Sequence, residues 1–229
     1  MCKILQKYNS ITELLNVCYN YVNIIDILKI KYKIYVSISV EVTMRVISGT
    51  ARGTKLSSID SISTRPTLDR IKESLFNIIR NKIENSIVLD LFSGSGAIGI
   101  EFLSRGAKKA YFCEKSHEAA EMIYNNLKRT KLIDKAQLFR QDYRKCLKEI
   151  KDANIKFDII FLDPPYKENL AANAVKQIIS LELLQKDGII IVETDEKERD
   201  LKELEKLQVE MYDLRKYGRV YLIFLSRKG

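Results

Sequence analysis

The sequence predicts an α/β protein built on one mostly parallel sheet, and three observations carry that prediction. Apolar runs alternate with amphipathic helical stripes from residue 86 onward, the rhythm of βαβ units. Two of those runs, SIVLDLFSGSGAIG at Ser86 to Gly99 and FDIIFLDPPY at Phe157 to Tyr166, stop abruptly at chemically loaded residues. Short continuous apolar runs of this kind are buried strands of a parallel sheet with loops at their carboxyl ends. The chain then closes on two strand patterns, Val209–Leu214 and Arg219–Ser226, joined by a turn at Tyr217-Gly218 too short for a parallel crossover. The sheet therefore ends in an antiparallel hairpin. At 229 residues and 46% hydrophobic content, the chain has enough apolar surface for one full core.

Residues 1–43 stand apart. Ser10-Ile-Thr-Glu13 has the form of a capping box, and Ile11, Leu14, Leu15, Cys18, Val22 and Ile25 keep a helical stripe behind it. Residues 33–42 then alternate as a strand does. Asn16, Asn20, Asn23 and Asp26 interrupt every apolar run well short of the ~20 residues of a membrane span, and no signal-peptide cleavage pattern follows. The stretch is either an appended element or lies upstream of a start at Met44, and the second is preferred. The working domain is expected over 44–229, with a basic N-terminal hairpin and helix at 44–84.

From Met44 the text changes. MRVISGTARGTKL reads as two short strands about Gly49 and Gly53. A Ser-rich linker leads to Arg65-Pro66-Thr67, with Thr67 the expected N-cap of a helix of about 17 residues. Leu68, Ile71, Leu75, Ile78, Ile79 and Ile83 mark its buried face, and Arg70, Lys72 and Arg80 fall mostly off it. Strands follow near 86–91, 110–114, 136–140, 157–162 and 188–193, with helices near 97–105, 116–130, 143–151, 168–180 and 196–206.

The formal charge is +9, which makes a polyanionic partner plausible. Eight Lys and Arg face three acids between Met44 and Lys82, a net of +5 in 39 residues. That concentration favours phosphate binding, with Arg45, Arg52, Lys55, Arg65, Arg70 and Lys72 as candidate contacts. Cys2, Cys18, Cys113 and Cys146 form no CxxC pair, and with the single His117 they leave no zinc site at sensible spacing. No metal is expected. Scattered cysteines without a disulfide framework fit a reducing cytoplasm.

GSGAIG at Gly94–Gly99 fits GxGxxG, a weak motif alone. Here it follows an apolar strand, opens a helix, and has Glu114 twenty residues beyond Gly94, placed to accept hydrogen bonds from ribose hydroxyls. A dinucleotide needs the helix N-terminus free for pyrophosphate, and Asp90, four residues before Gly94, would repel it. A cofactor with a cationic amino group and no phosphate suits the loop better. S-adenosylmethionine is such a molecule, and it is preferred to a nicotinamide dinucleotide. Phe92 and Gly96 complete the cofactor loop. Asp142, in FRQDY, is placed either to meet the adenine amino group or simply to cap the next helix.

Asp163-Pro164-Pro165-Tyr166 is the sharpest signal. An exocyclic amino group is a poor nucleophile because its lone pair is delocalised into the base. Asp163 and the Pro164 carbonyl can each accept one N–H from such a group, drawing the nitrogen toward tetrahedral geometry. The prolines fix the backbone and remove competing donors. Tyr166 offers a face on which a base can stack, typically ~1–3 kcal/mol per base.

With these residues assembled, the sequence resembles the class I methyltransferases that carry a D/N-P-P-Y/F/W motif. It is most similar to the bacterial 16S rRNA guanine-N2 methyltransferase family. MRVISGTARGTKL, RPTLDRIKESLFNII, VLDLFSGSGAIGIEFLSRGA, the acid in YFCEK, FDIIFLDPPY and KYGRVYLIF carry the likeness over 44–229. The resemblance implies a seven-stranded Rossmann-like sheet with its last strand antiparallel, and methylation of one loop guanine in the small ribosomal subunit. It further implies that Asp90, Gly94 and Gly96 hold S-adenosylmethionine, Glu114 its ribose, and Asp163 to Tyr166 the base. The small subunit or an assembly intermediate is the implied partner, and a monomer is the default. A DNA adenine-N6 or cytosine-N4 methyltransferase would share both motifs, but no sizeable target-recognition region is evident. A non-catalytic RNA-binding protein that keeps the fold would have no use for Asp163-Pro164-Pro165-Tyr166, and a nicotinamide oxidoreductase is more distant still.

Overall fold

The computed structural model describes residues 44–58, 66–165 and 169–228, with side chains at 66–68 excepted. The readings of residues 1–43, of Arg65 and of Tyr166 lie outside the described residues. Seven strands form one sheet: β1 (Ile87–Asp90), β2 (Lys109–Cys113), β3 (Ala136–Phe139), β4 (Phe157–Leu162), β5 (Leu184–Thr194), β6 (Val209–Tyr217) and β7 (Val220–Arg227). Their order is β3-β2-β1-β4-β5-β7-β6. The first five pair in parallel, and β7 runs antiparallel to both β5 and β6. Gly218, at φ +63°, makes the tight β6–β7 turn that closes the expected hairpin.

Successive strand residues alternate between two cores, because a parallel sheet of βαβ units is covered on both faces. Val88, Phe112, Phe161, Ile191 and Phe224 pack on one side with the helices α1 (Pro66–Ile78), α2 (Ala97–Ser104) and α3 (His117–Thr130). Leu89, Tyr111, Ile160, Val192 and Leu225 pack on the other with α4 (Tyr143–Asp152), α5 (Leu170–Ser180) and α6 (Lys197–Leu204). The β1→β2→β3 progression runs one way from β1, and β4 returns to its other side. The crevice beyond the carboxyl ends of β1 and β4 is therefore the topological switch point, where open α/β sheets bind ligands.

The N-terminal helix departs from expectation in three ways. It begins at Pro66, so Thr67 lies in its first turn and is not its N-cap; proline is suited to that first position because the missing N–H has no intrahelical partner there. It ends at Ile78 after 13 residues, and a short 3-10 turn, Arg80–Lys82, follows. Ile71, Leu75, Ile79 and Ile83 are buried as expected, but Ile78 is exposed and Phe76 takes the core position, edge-on to Phe102 at 4.7 Å.

The segment 44–58 folds back on itself through a single antiparallel bridge, Arg45 to Lys55, rather than two full strands. Its stability comes from docking. The buried Glu101 carboxylate in α2 accepts the amides of Ile47 (2.8 Å) and Ser48 (2.9 Å) and pairs with Arg105 at 2.8 Å. The Ser104 hydroxyl donates to the Ser48 carbonyl and accepts from the Ala51 amide. At Gly49 (φ +83°), a Cβ would lie 1.8 Å from the Ser104 carbonyl oxygen, so no other residue fits this approach.

Candidate active site

The site grows from the carboxyl ends of β1, β2, β4 and β5. Asp90 ends β1 with 2% exposure, and its carboxylate accepts the Gly99 amide of α2 at 3.0 Å. Removal from water, together with the Asp163 and Glu114 charges nearby, pushes the Asp90 carboxyl up to about 7, while the Gly99 hydrogen bond opposes that rise. Gly96, at φ +76°, turns the chain from the loop into α2. A Cβ on Gly99 would sit 2.2 Å from the Phe112 ring, so the helix can approach β2 only with glycine at this third motif position.

Glu114 follows β2 and bridges the glycine loop: its carboxylate accepts the Gly94 amide at 2.9 Å and the Ser116 amide at 2.8 Å. This contact distinguishes between cofactor classes. A loop cradling pyrophosphate must offer its amides to phosphate oxygens. Here the first glycine amide is already held by a carboxylate, whose charge reaches the Asp90 carboxyl nearby. The acids suit a cationic, phosphate-free ligand, and S-adenosylmethionine fits them. Phe92 packs on Tyr143 with ring centroids 5.3 Å apart and remains partly exposed beside the loop. Asp142 caps α4, accepting the Arg144 amide at 3.0 Å and its guanidinium at 2.9 Å. The Arg144 contacts hold its carboxyl below the ordinary range. Of its two expected roles, the cap is thus visible in the fold.

Asp163 directly follows β4 and opens to the crevice, with Pro164 buried behind it and Pro165 exposed. The protein packed around Asp163 and the charge of Asp195 raise its carboxyl to about 7. Glu193, in β5, is buried and pushed up to about 8 by its removal from water and by Asp163. Asp90, Asp163 and Glu193 thus stand on three adjacent strand ends.

Three residues to which the sequence alone assigns no role hold the site together. Ser93 staples β1 to β2: its hydroxyl donates to the Asp90 carbonyl at 2.7 Å and accepts the Cys113 amide at 3.0 Å. Asn126, fully buried in α3, accepts from the Ser57 amide and donates to the Ser57 and Ser95 carbonyls, tying the N-terminal segment to the cofactor loop. Arg129 donates to the Lys55 carbonyl at 3.1 Å, adding a cation beside the N-terminal patch.

Arg45, Arg52, Lys55 and Arg70 are exposed. Lys72 is not: at 6% exposure its ammonium donates to the Arg45 carbonyl at 2.9 Å and lies near Asp69. Burial lowers its pKa, and the hydrogen bond ties it to the segment's backbone, so it anchors the patch from beneath instead of meeting phosphate. Among the described residues no group of His, Cys, Asp and Glu gathers as a metal site, and no helix is long and apolar enough to cross a membrane.

Comparison with known proteins decides the family. Residues 44–226 match the family described as conserved hypothetical protein 95. The small-subunit rRNA methyltransferase D of Haemophilus influenzae is 40% identical over 153 residues, covering 66% of this chain and 79% of that protein. The chain belongs to this family of rRNA methyltransferases. The rRNA methyltransferase YlbH of Bacillus subtilis, a provisional name, is 41% identical over 152 residues, 66% of this chain and 83% of that one. Among solved structures, yhhF of Escherichia coli, provisionally assigned as a methyltransferase, superposes with a TM-score of 0.67 at 26% identity, covering 81% of this chain and 98% of its own. The fold is that of the class I methyltransferases, and the methyl donor is S-adenosylmethionine. Residues 1–43 lie outside the family match.

Proposed function

We propose that the protein methylates the exocyclic N2 amino group of one guanine in 16S rRNA, acting in the cytoplasm on the small subunit or its assembly intermediate. The observation that carries this reading is the placement of Asp90 and Asp163 on adjacent strand ends of one crevice: Asp90 pairs with Phe161, two residues before Asp163. One acid serves a cationic cofactor and the other an amine.

S-adenosylmethionine supplies an electrophilic methyl on a sulfonium. Asp90 and Glu114 hold the cofactor's cationic and ribose ends, with Phe92 beside them. Asp163 and the Pro164 carbonyl each accept one N–H of the amino group, so its lone pair points at the methyl carbon. As the N–C bond forms and the C–S bond breaks, the nitrogen becomes acidic and releases one proton. Asp163, poised near neutrality, is suited to receive it. Tyr166, next in the motif, is assigned to stack on the base. A loop base reaches this pocket at less cost than one that must be flipped from a duplex.

Replacing Asp163 by Ala separates catalysis from binding. Methyl transfer is expected to fall about 100-fold or more, the usual cost of losing one preorganised polar contact to the reacting group. Dissociation constants for S-adenosylmethionine and RNA should move less than about threefold. Unchanged turnover in this variant would remove Asp163 from the chemistry.

A further inference from the structure

The acid that the mechanism leaves unused is Glu193. In the β4–β5 ladder, Leu162 is the partner of Val192, so the residues that follow, Asp163 and Glu193, sit side by side. Neighbouring strands run about 4.8 Å apart, and side chains in register leave the sheet on the same face. Phe161 and Ile191, two residues earlier on each strand, pack in the same core, which fixes that face. Asp163 and Glu193 therefore point to the same side of the crevice. Glu193 is 9% exposed. Among the described residues its carboxylate has no hydrogen bond or ion pair, and its electrostatic neighbour is Asp163. Because no fully buried side-chain oxygen among the described residues lacks a partner, this carboxylate must open to the crevice, where a ligand's N–H can reach it.

Guanine can supply it. If Asp163 and the Pro164 carbonyl take the two amino hydrogens, as proposed above, the amino carbon is flanked by two ring nitrogens, and of these N1 carries a hydrogen in guanine. Adenine and 2-aminopurine present a lone pair at N1, which a carboxylate repels. We infer that Glu193 is a specificity-determining residue whose carboxylate accepts the N1–H of the target guanine beside Asp163. The inference rests on the guanine-N2 reading. It also gives the crevice's second acid a role, since amine activation uses only Asp163.

The test uses the full-length protein and small-subunit particles reconstituted with either guanosine or 2-aminopurine riboside at the target position. Both bases carry the 2-amino group, and only guanine carries N1–H. The quantity read is the ratio of kcat/KM for the two particles in the wild type, Glu193→Ala and Glu193→Gln. A hydrogen bond to a charged group discriminates by roughly tenfold or more. The wild type should therefore prefer guanine by at least about tenfold. In Glu193→Ala the ratio should collapse toward one, with the loss falling on the guanine particle. Glu193→Gln keeps a neutral carbonyl acceptor and should fall between; it decides the matter if the Ala variant does not fold. A merely structural role would lower both substrates together, and an unchanged ratio overturns the inference while leaving the guanine-N2 reading intact. A wild type that makes no N2-methylguanosine overturns both.

Discussion

Asp90, Asp163 and Glu193 each carry a carboxyl raised to about 7, 7 and 8, because removal from water and neighbouring acids (Asp163 and Glu114 for Asp90, Asp195 for Asp163, Asp163 for Glu193) disfavour their charged forms. Linkage turns this into a statement about stability. Their unfolded values are 3.8, 3.8 and 4.5, so between pH ~4 and ~8 the folded protein holds protons that the unfolded chain has released. Stability then falls as pH rises through that window. The ligand-free protein should melt at lower temperature at pH 8 than at pH 5.5, and Asp90→Asn should flatten the slope. Thermal unfolding at several pH values checks this, and a melting temperature that rises toward pH 8 would contradict it. A bound cation relieves the same repulsion, so S-adenosylmethionine should stabilise most at the alkaline end. At this scale the motif acids were legible in the sequence, because Asp90, Glu114 and Asp163 each end an apolar run. Glu193 was not: it lies one residue before the end of β5, and its place beside Asp163 depends on register with β4, which no local pattern encodes.

Among the elements, the N-terminal segment is the one whose form least follows from its own residues. Its Gly-rich turns and cations are visible in MRVISGTARGTKL, yet its shape comes from Glu101, Ser104 and Asn126, which lie 50 to 70 residues away. That long-range dependence explains why the local pattern reads as two strands where one bridge forms, and why periodicity alone puts Lys72 on the solvent side. Periodicity marked Lys72 as off the apolar stripe, but the segment folds over it. By contrast β1 to β4 and their helices fall within a residue or two of expectation, because their apolar patterns are continuous and bounded by turn signals. Gly49→Ala should detach the segment from α2 and lower stability by about 3 kcal/mol, since the Cβ meets backbone that cannot move aside. Denaturant unfolding measures this, and a loss under about 1 kcal/mol would mean the docking is dispensable. The exposed cations on this element also make a prediction for RNA. Affinity should fall steeply with salt, and the Arg52→Ala/Lys55→Ala pair should reduce the log–log slope by about 2. A flat salt response would remove the patch from the docking surface.

For the molecule as a whole, the order β3-β2-β1-β4-β5-β7-β6 brings two motifs about 70 residues apart to one crevice. The glycine loop follows β1 and the Asp163 motif follows its neighbour β4, and the basic segment packs against α2, the helix that the loop opens. In the proposed reading this arrangement aligns a methyl donor with an amine and leaves the acceptor's identity to the surfaces around it. The most direct measurement follows from this division. Labelled methyl is transferred from S-adenosylmethionine to small-subunit particles lacking the modification, with DNA and free rRNA alongside, and the product nucleoside is identified by mass. N2-methylguanosine is expected from the ribosomal substrate. Label in DNA as N6-methyladenine or N4-methylcytosine would contradict it.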